Sequence, residues 1–128
     1  MTILLDTQLL LFAAAMPELL SDEARAMLED ENNRLLFSTA SLWEIGVKNL
    51  LGKGKFHVDV GLLRRNLLEH GYEELPITGK HAVSVTDLPG IHRDLYDRIL
   101  LSQAKVEGIT LMTNEPTLSE YPAPVCLV

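Results

Sequence analysis

The chain has 128 residues, with 18 acidic against 11 basic side chains and a net charge of −7. That length fits one domain, residues 1–128, which buries roughly two thirds of the surface its unfolded chain exposes and needs no covalent staples. The acidic balance argues against a broad phosphate-binding face built from many Lys and Arg contacts, and the single Cys126 excludes an internal disulfide and a Cys-based metal site.

The chain opens on an apolar run, Ile3-Leu4-Leu5, that reads as a strand over 2–6 ending in Asp6. An apolar helix follows from Thr7 to about Ala15, and Pro17 ends that region. The apolar stretch Leu9 to Met16 has no Lys or Arg before it, so it is read as helix and not as a signal core, and a cytoplasmic protein is expected. No run approaches the roughly twenty apolar residues of a membrane span. Ser21 caps a second helix, with Asp22 and Glu23 in its first turn, to about Glu29. After a turn at 30–33, Arg34 to Phe37 reads as a buried strand, followed by a helix from Ser41 to about Leu51 that Gly52 terminates.

Lys53-Gly54-Lys55 reads as a basic loop, Val58 to His70 as a helix, Tyr72 to Pro76 as a strand and Thr78 to Thr86 as a shorter helix. Pro89 and Gly90 mark the loop from Asp87 to Arg93, which delivers the chain to a helix beginning near Asp94 or Asp97 and ending at Gly108. A strand at Thr110 to Thr113, a helical turn at Pro116 to Glu120 and a last strand at Val125 to Val128 complete the pattern. Such alternation predicts a three-layer α/β/α sandwich with a mainly parallel sheet.

Chemistry is expected where acids end strands or begin helices, because ligands of open parallel sheets bind outside the carboxyl ends of the strands. Asp6 and Glu115 follow strands, while Glu44 and the pair Asp94 and Asp97 stand at helix beginnings. Each has a structural alternative. Asp6 can cap the helix after it, Ser41-x-x-Glu44 fits a capping box, and Asp94 can cap the helix that carries Asp97. Together they carry more weight than singly. At about 4 Å like charges repel by roughly 4 kcal/mol at an effective dielectric near 20, so converging carboxylates must protonate or hold a cation. Oxygen-only ligation favours Mg²⁺ or Mn²⁺.

His57, His70, His81 and His92 lack zinc spacing and read as mostly surface residues. No G-x-S-x-G elbow or Gly-rich phosphate loop is present. Trp43, with Ile45 and Val47, reads as core more readily than as a base-stacking platform, and Lys48 reads as an ordinary i,i+4 partner of Glu44.

Four segments together resemble the PIN-domain ribonucleases, and within them the VapC-type toxins of toxin–antitoxin pairs. They are Ile3-Leu4-Leu5-Asp6-Thr7, Ser38-Thr39-Ala40-Ser41-Leu42-Trp43-Glu44-Ile45, His92-Arg93-Asp94-Leu95-Tyr96-Asp97-Arg98 and Leu111-Met112-Thr113-Asn114-Glu115-Pro116. The resemblance implies a five-stranded sheet of order 3-2-1-4-5, a homodimer and a VapB-type antitoxin that occludes an acidic groove. It assigns the metal site to Asp6, Glu44 and Asp97 with Asp94 as an auxiliary acid, and puts Glu115 at the family's fourth acidic position. Gln8 stands where many relatives have His, and Glu115 where they usually have Asp. The longer Glu115 side chain moves the carboxylate by about one methylene, enough to convert a direct ligand into a water-mediated one, so that both modes of ligation stay open for it.

The function expected is metal-dependent hydrolysis of RNA by activated water, with Asp6, Glu44, Asp97 and Glu115 as catalytic acids. Thr7, Thr113, Arg93 and Arg98, with Lys53 and Lys55, are the candidate substrate contacts. Two alternatives compete: a PIN-like binding protein without turnover, and a receiver-type signalling domain. The second needs a phosphorylatable Asp after its middle strand and a Lys after its last, whereas here the third strand ends at Leu75-Pro76 and the last at Val128.

Overall fold

The computed structural model describes residues 1–53, 57–90 and 94–128. Strand β1 (Thr2–Leu5) leads through α1 (Thr7–Ala15) and α2 (Asp22–Glu29) to β2 (Arg34–Ser38). Helices α3 (Thr39–Leu50) and α4 (Val60–Glu69) follow, then β3 (Glu73–Leu75), α5 (Gly79–Ser84), α6 (Leu95–Glu107), β4 (Thr110–Thr113) and β5 (Val125–Leu127). Short 3-10 turns lie at Pro17–Leu19, Val85–Asp87 and Pro116–Glu120.

The strands form one parallel sheet in the order β3-β2-β1-β4-β5, as expected. β1 is central, with Leu4 opposite both Leu36 of β2 and Leu111 of β4. The chain builds outward from β1 to β3 and then returns to add β4 on the other side, which makes the β1/β4 boundary the switch point where such sheets open a crevice.

Strand alternation divides the core between two faces. Ile3, Leu5, Phe37 and Met112 pack with Leu9 and Leu10 of α1, Ala24 of α2, Ile45 of α3 and Leu63 and Leu67 of α4. On the other face Leu4, Leu36 and Leu111 meet Leu100, Leu101 and Ala104 of α6. Near-continuous apolar strands are what a sheet covered on both faces requires. Among the described residues no helix is long and apolar enough to cross a membrane.

Side-chain caps start the helices. Asp6, Ser21, Ser38, Asp59, Thr78 and Asp94 each accept a backbone N–H from the first turn of α1 to α6 in turn. Gly108, at φ 66°, ends α6 in the left-handed conformation that a Cβ disfavours.

Three expectations are corrected. The third helix begins at Thr39, not Ser41, because Ser38 turns its hydroxyl onto the Ala40 N–H and caps the chain as soon as β2 ends. The predicted Ser41-x-x-Glu44 capping box therefore does not form, and both residues lie buried inside the helix. Trp43 is 60% exposed, since the buried face of α3 is carried by Ala40, Ser41, Glu44 and Ile45; its ring meets Tyr96 edge-on at 5.1 Å. His81 is fully buried between α5 and α6, whereas His57 and His70 are exposed as expected. Its Nδ1 accepts the Thr78 N–H, which leaves the proton on Nε2 to face the Glu107 carboxylate at 3.0 Å.

Candidate metal centre

The parallel topology delivers acids to one edge of the sheet. Asp6 follows β1, Glu44 sits in the second turn of α3 after β2, Asp94 and Asp97 lie at the start of α6, and Glu115 follows β4. All five line a cavity of about 310 Å³, together with Thr7, Gln8, Leu11 and Lys48. The expected convergence is thus present in space.

Asp6 caps α1 and at the same time lines the cavity. Its Oδ1 accepts the Leu9 N–H at 2.8 Å and caps α1, while its Oδ2 accepts the Thr113 hydroxyl at 2.5 Å. Thr113 in turn accepts the Glu115 N–H at 3.0 Å, so the ends of β1 and β4 are locked to each other. Thr7 donates its hydroxyl to Ser41 at 2.9 Å, tying the start of α1 to α3 beside Glu44.

Glu44 is 5% exposed. Its Oε2 meets Lys48 Nζ at 2.5 Å, and its Oε1 is buried with no hydrogen-bond partner. Asp94 Oδ1 accepts the Tyr96 and Asp97 N–H groups and caps α6, and Glu115 Oε1 accepts the Thr117 N–H.

The sequence matches the PIN domain family over residues 3–124. The chain belongs to the PIN-domain family. A comparison with curated proteins finds no match. Among solved structures, the PIN-domain chain is similar to one in VapBC2 from Rickettsia felis bound to a promoter DNA fragment, at 20% identity and TM-score 0.76, covering 99% of this chain and 98% of that one. DNA-bound VapBC from Salmonella typhimurium gives 14% identity and TM-score 0.67, with 98% and 97% covered. VapBC-5 from Mycobacterium tuberculosis gives 17% and 0.62, with 99% and 97% covered. At these identities the likeness is one of fold.

Electrostatics follow from how the PIN domain packs these acids. Burial is the largest influence on Asp6 and pushes its pKa up; the nearby Glu44 charge adds to this, while the Thr113 hydroxyl and the Leu9 and Asn114 N–H groups pull it down. Lys48 is held above its ordinary value, chiefly by its hydrogen bond to Glu44 and also by the charges of Glu44, Asp94 and Asp97, against partial burial.

The donor set fits a hard divalent cation. It offers only oxygens, and Glu44 Oε1 is an acceptor buried without a donor, which costs free energy unless something supplies positive charge. As the side chains stand, no group of three or more described His, Cys, Asp or Glu residues is arranged around one ion. Oxygens of Asp6, Glu44, Asp94 and Glu115 are turned instead onto the chain's own donors: the Thr113 hydroxyl, Lys48 and the N–H groups of three helical turns.

The candidate substrate contacts divide. Thr7 and Thr113 stand at the site, with Thr113 bonded to Asp6 itself. Arg98 lies outside the cavity lining; its guanidinium donates to the carbonyls of Val85, Leu88 and Pro89 and holds the loop ahead of α6. Lys53 lines an adjoining apolar groove with Phe12, Ile45 and Val58. Arg93, Lys55 and His92 lie outside the described residues. Sequence reasoning did not place Lys48 and Gln8 in the cavity. A signal existed for Lys48: a residue four positions after Glu44 on a helix shares its face, so a Glu that points into a pocket brings its i,i+4 partner along.

Proposed function

We propose that this PIN domain is the toxin of a toxin–antitoxin pair and that it hydrolyses RNA phosphodiesters with a carboxylate-bound Mg²⁺ or Mn²⁺. The observation that carries this reading is the convergence of Asp6, Glu44, Asp94, Asp97 and Glu115 on one cavity where a buried Glu44 oxygen has no donor. Asp6, Glu44 and Asp97 would hold the ion, with Asp94 and Glu115 beside them. When bound, the ion lowers the pKa of a water to make the nucleophile and offsets charge on the transition state and leaving oxygen.

The chain's own part is positioning. Thr113 and the Leu9 N–H fix both oxygens of Asp6, so that carboxylate keeps one orientation on the rigid edge of β1. Asp94 orders the first turn of α6 and thereby the backbone that carries Asp97. Glu115 reaches the rim while capping the turn after β4. The fold likeness to chains of VapBC complexes supports a VapB-type antitoxin as partner. An acidic cavity on a chain of charge −7 suits a basic inhibitor segment. A homodimer acting in the cytoplasm belongs to the same reading.

Water attack in line with the 3′ oxygen leaves 5′-phosphate and 3′-hydroxyl ends. The check is end-group analysis of RNA fragments made by the antitoxin-free chain: fragments that ligate directly through a 5′-phosphate support the reading, and 2′,3′-cyclic phosphate ends overturn it.

A further inference from the structure

Lys48 is the cation among the described residues that line the acidic cavity. Its Nζ stands 2.5 Å from Glu44 Oε2, and the two side chains face opposite environments: Glu44's is 7% exposed and Lys48's 48%. The ammonium therefore enters from the solvent mouth and covers one oxygen of a carboxylate whose other oxygen, Oε1, has no partner. Asp6, Asp94 and Asp97 line the same space.

We infer that the Lys48 ammonium is the resident counter-cation of this cavity, occupying Glu44 Oε2 in the metal-free protein and competing with a divalent ion for it, so that Lys48 sets how tightly the cavity binds metal. This rests on the carboxylate–metal reading given above. The physical basis is a balance of two charges. A carboxylate buried this deeply needs a positive partner, and the i,i+4 spacing supplies one within the helix. A dication at the same oxygens meets that ammonium as a like charge and must displace it. Displacement is open to Lys48 because a compact ammonium on a flexible four-carbon stem can swing into water from a half-exposed position. Lys48 is thus a positioning residue: it acts through Glu44, and it holds that side chain in place for the ion that replaces it.

The test is Mn²⁺ binding by isothermal titration calorimetry to the purified full chain, its Lys48→Met and Lys48→Arg variants, each first shown folded by circular dichroism. Lys48→Met should bind Mn²⁺ about tenfold more tightly than wild type while melting at a lower temperature without metal, and Lys48→Arg should stay within about twofold of wild type. A purely structural ion pair would lower the melting temperature without changing metal affinity. If wild type and Lys48→Met bind Mn²⁺ equally, or Lys48→Met more weakly, the competition is overturned while the metal reading stands. Tightening in Lys48→Arg equal to that in Lys48→Met overturns it too, because charge would not be the determinant. If folded wild type binds no Mn²⁺ at all, the metal reading fails and this inference falls with it.

Discussion

Asp6→Asn is expected to lower the proposed RNA cleavage by at least about a hundredfold, because the change removes a full negative charge from a group proposed to hold the metal while preserving its shape. The same substitution raises the melting temperature of the metal-free protein at neutral pH. Burial lifts the Asp6 pKa above its ordinary 3.8, so the native state binds that proton more tightly than the unfolded chain does. The stabilising contribution of a raised group is complete below the unfolded value and is lost as pH rises through the folded one. Ionising Asp6 is therefore a cost to the fold.

An Asn at position 6 keeps an oxygen for the Leu9 N–H, and its amide can donate to the Thr113 oxygen. The expected gain is a few degrees, the shift that about 1 kcal/mol produces in a domain of this size. Thermal melts from pH 4 to pH 8 in EDTA check it. The advantage of the variant should widen as pH rises from the ordinary Asp value through the raised one; a variant less stable than wild type at pH 7 would show that the carboxylate is not held at a cost.

Phe37→Ala is expected to remove about 3–5 kcal/mol of stability. Phe37 is fully buried in β2, where it packs among Ile3, Leu5, Met112, Leu63 and Leu67, so truncation empties a region bounded by the sheet and by helices that cannot easily collapse. Stability of a small domain is only about 5–15 kcal/mol, which makes this a large fraction of the whole. The next residue, Ser38, caps α3 and so sets where Glu44 stands. Urea denaturation is the check: the midpoint should fall with the slope unchanged. A loss below about 1 kcal/mol would mean that this face of the sheet is not packed as tightly as the burial of Phe37 implies.

The layered fold was legible because four of the five strands centre on an apolar run bounded by turn or cap residues; the edge strand β3, Glu73-Glu74-Leu75, is the exception. The strand order came from the family resemblance, since periodicity does not say which strands are neighbours. Asp6 was legible because a carboxylate among Leu4, Leu5, Leu9 and Leu10 has few ways to be satisfied. It caps a helix and also lines the cavity, so capping does not remove it from the candidate site.

What sequence left open was decided by geometry at short range. Ser38 and Ser41 are both competent caps, and the one nearer the end of β2 takes the role. That shift puts Ser41 and Glu44 inside the helix and turns Trp43 outward. His81 escaped because a buried imidazole needs partners distant in sequence, here Glu107, 26 residues away. Arg98 looked like a phosphate ligand because its neighbours are the site acids. Its reach is instead taken by three backbone carbonyls of the preceding loop, which need donors of their own.

The measurement that tests the central claim most directly is cleavage of a labelled structured RNA by the purified, antitoxin-free chain in Mg²⁺ or Mn²⁺, compared with EDTA and with Asp97→Asn. The account predicts cuts that require the metal and vanish in the variant. Cuts that persist in EDTA or in Asp97→Asn would contradict it.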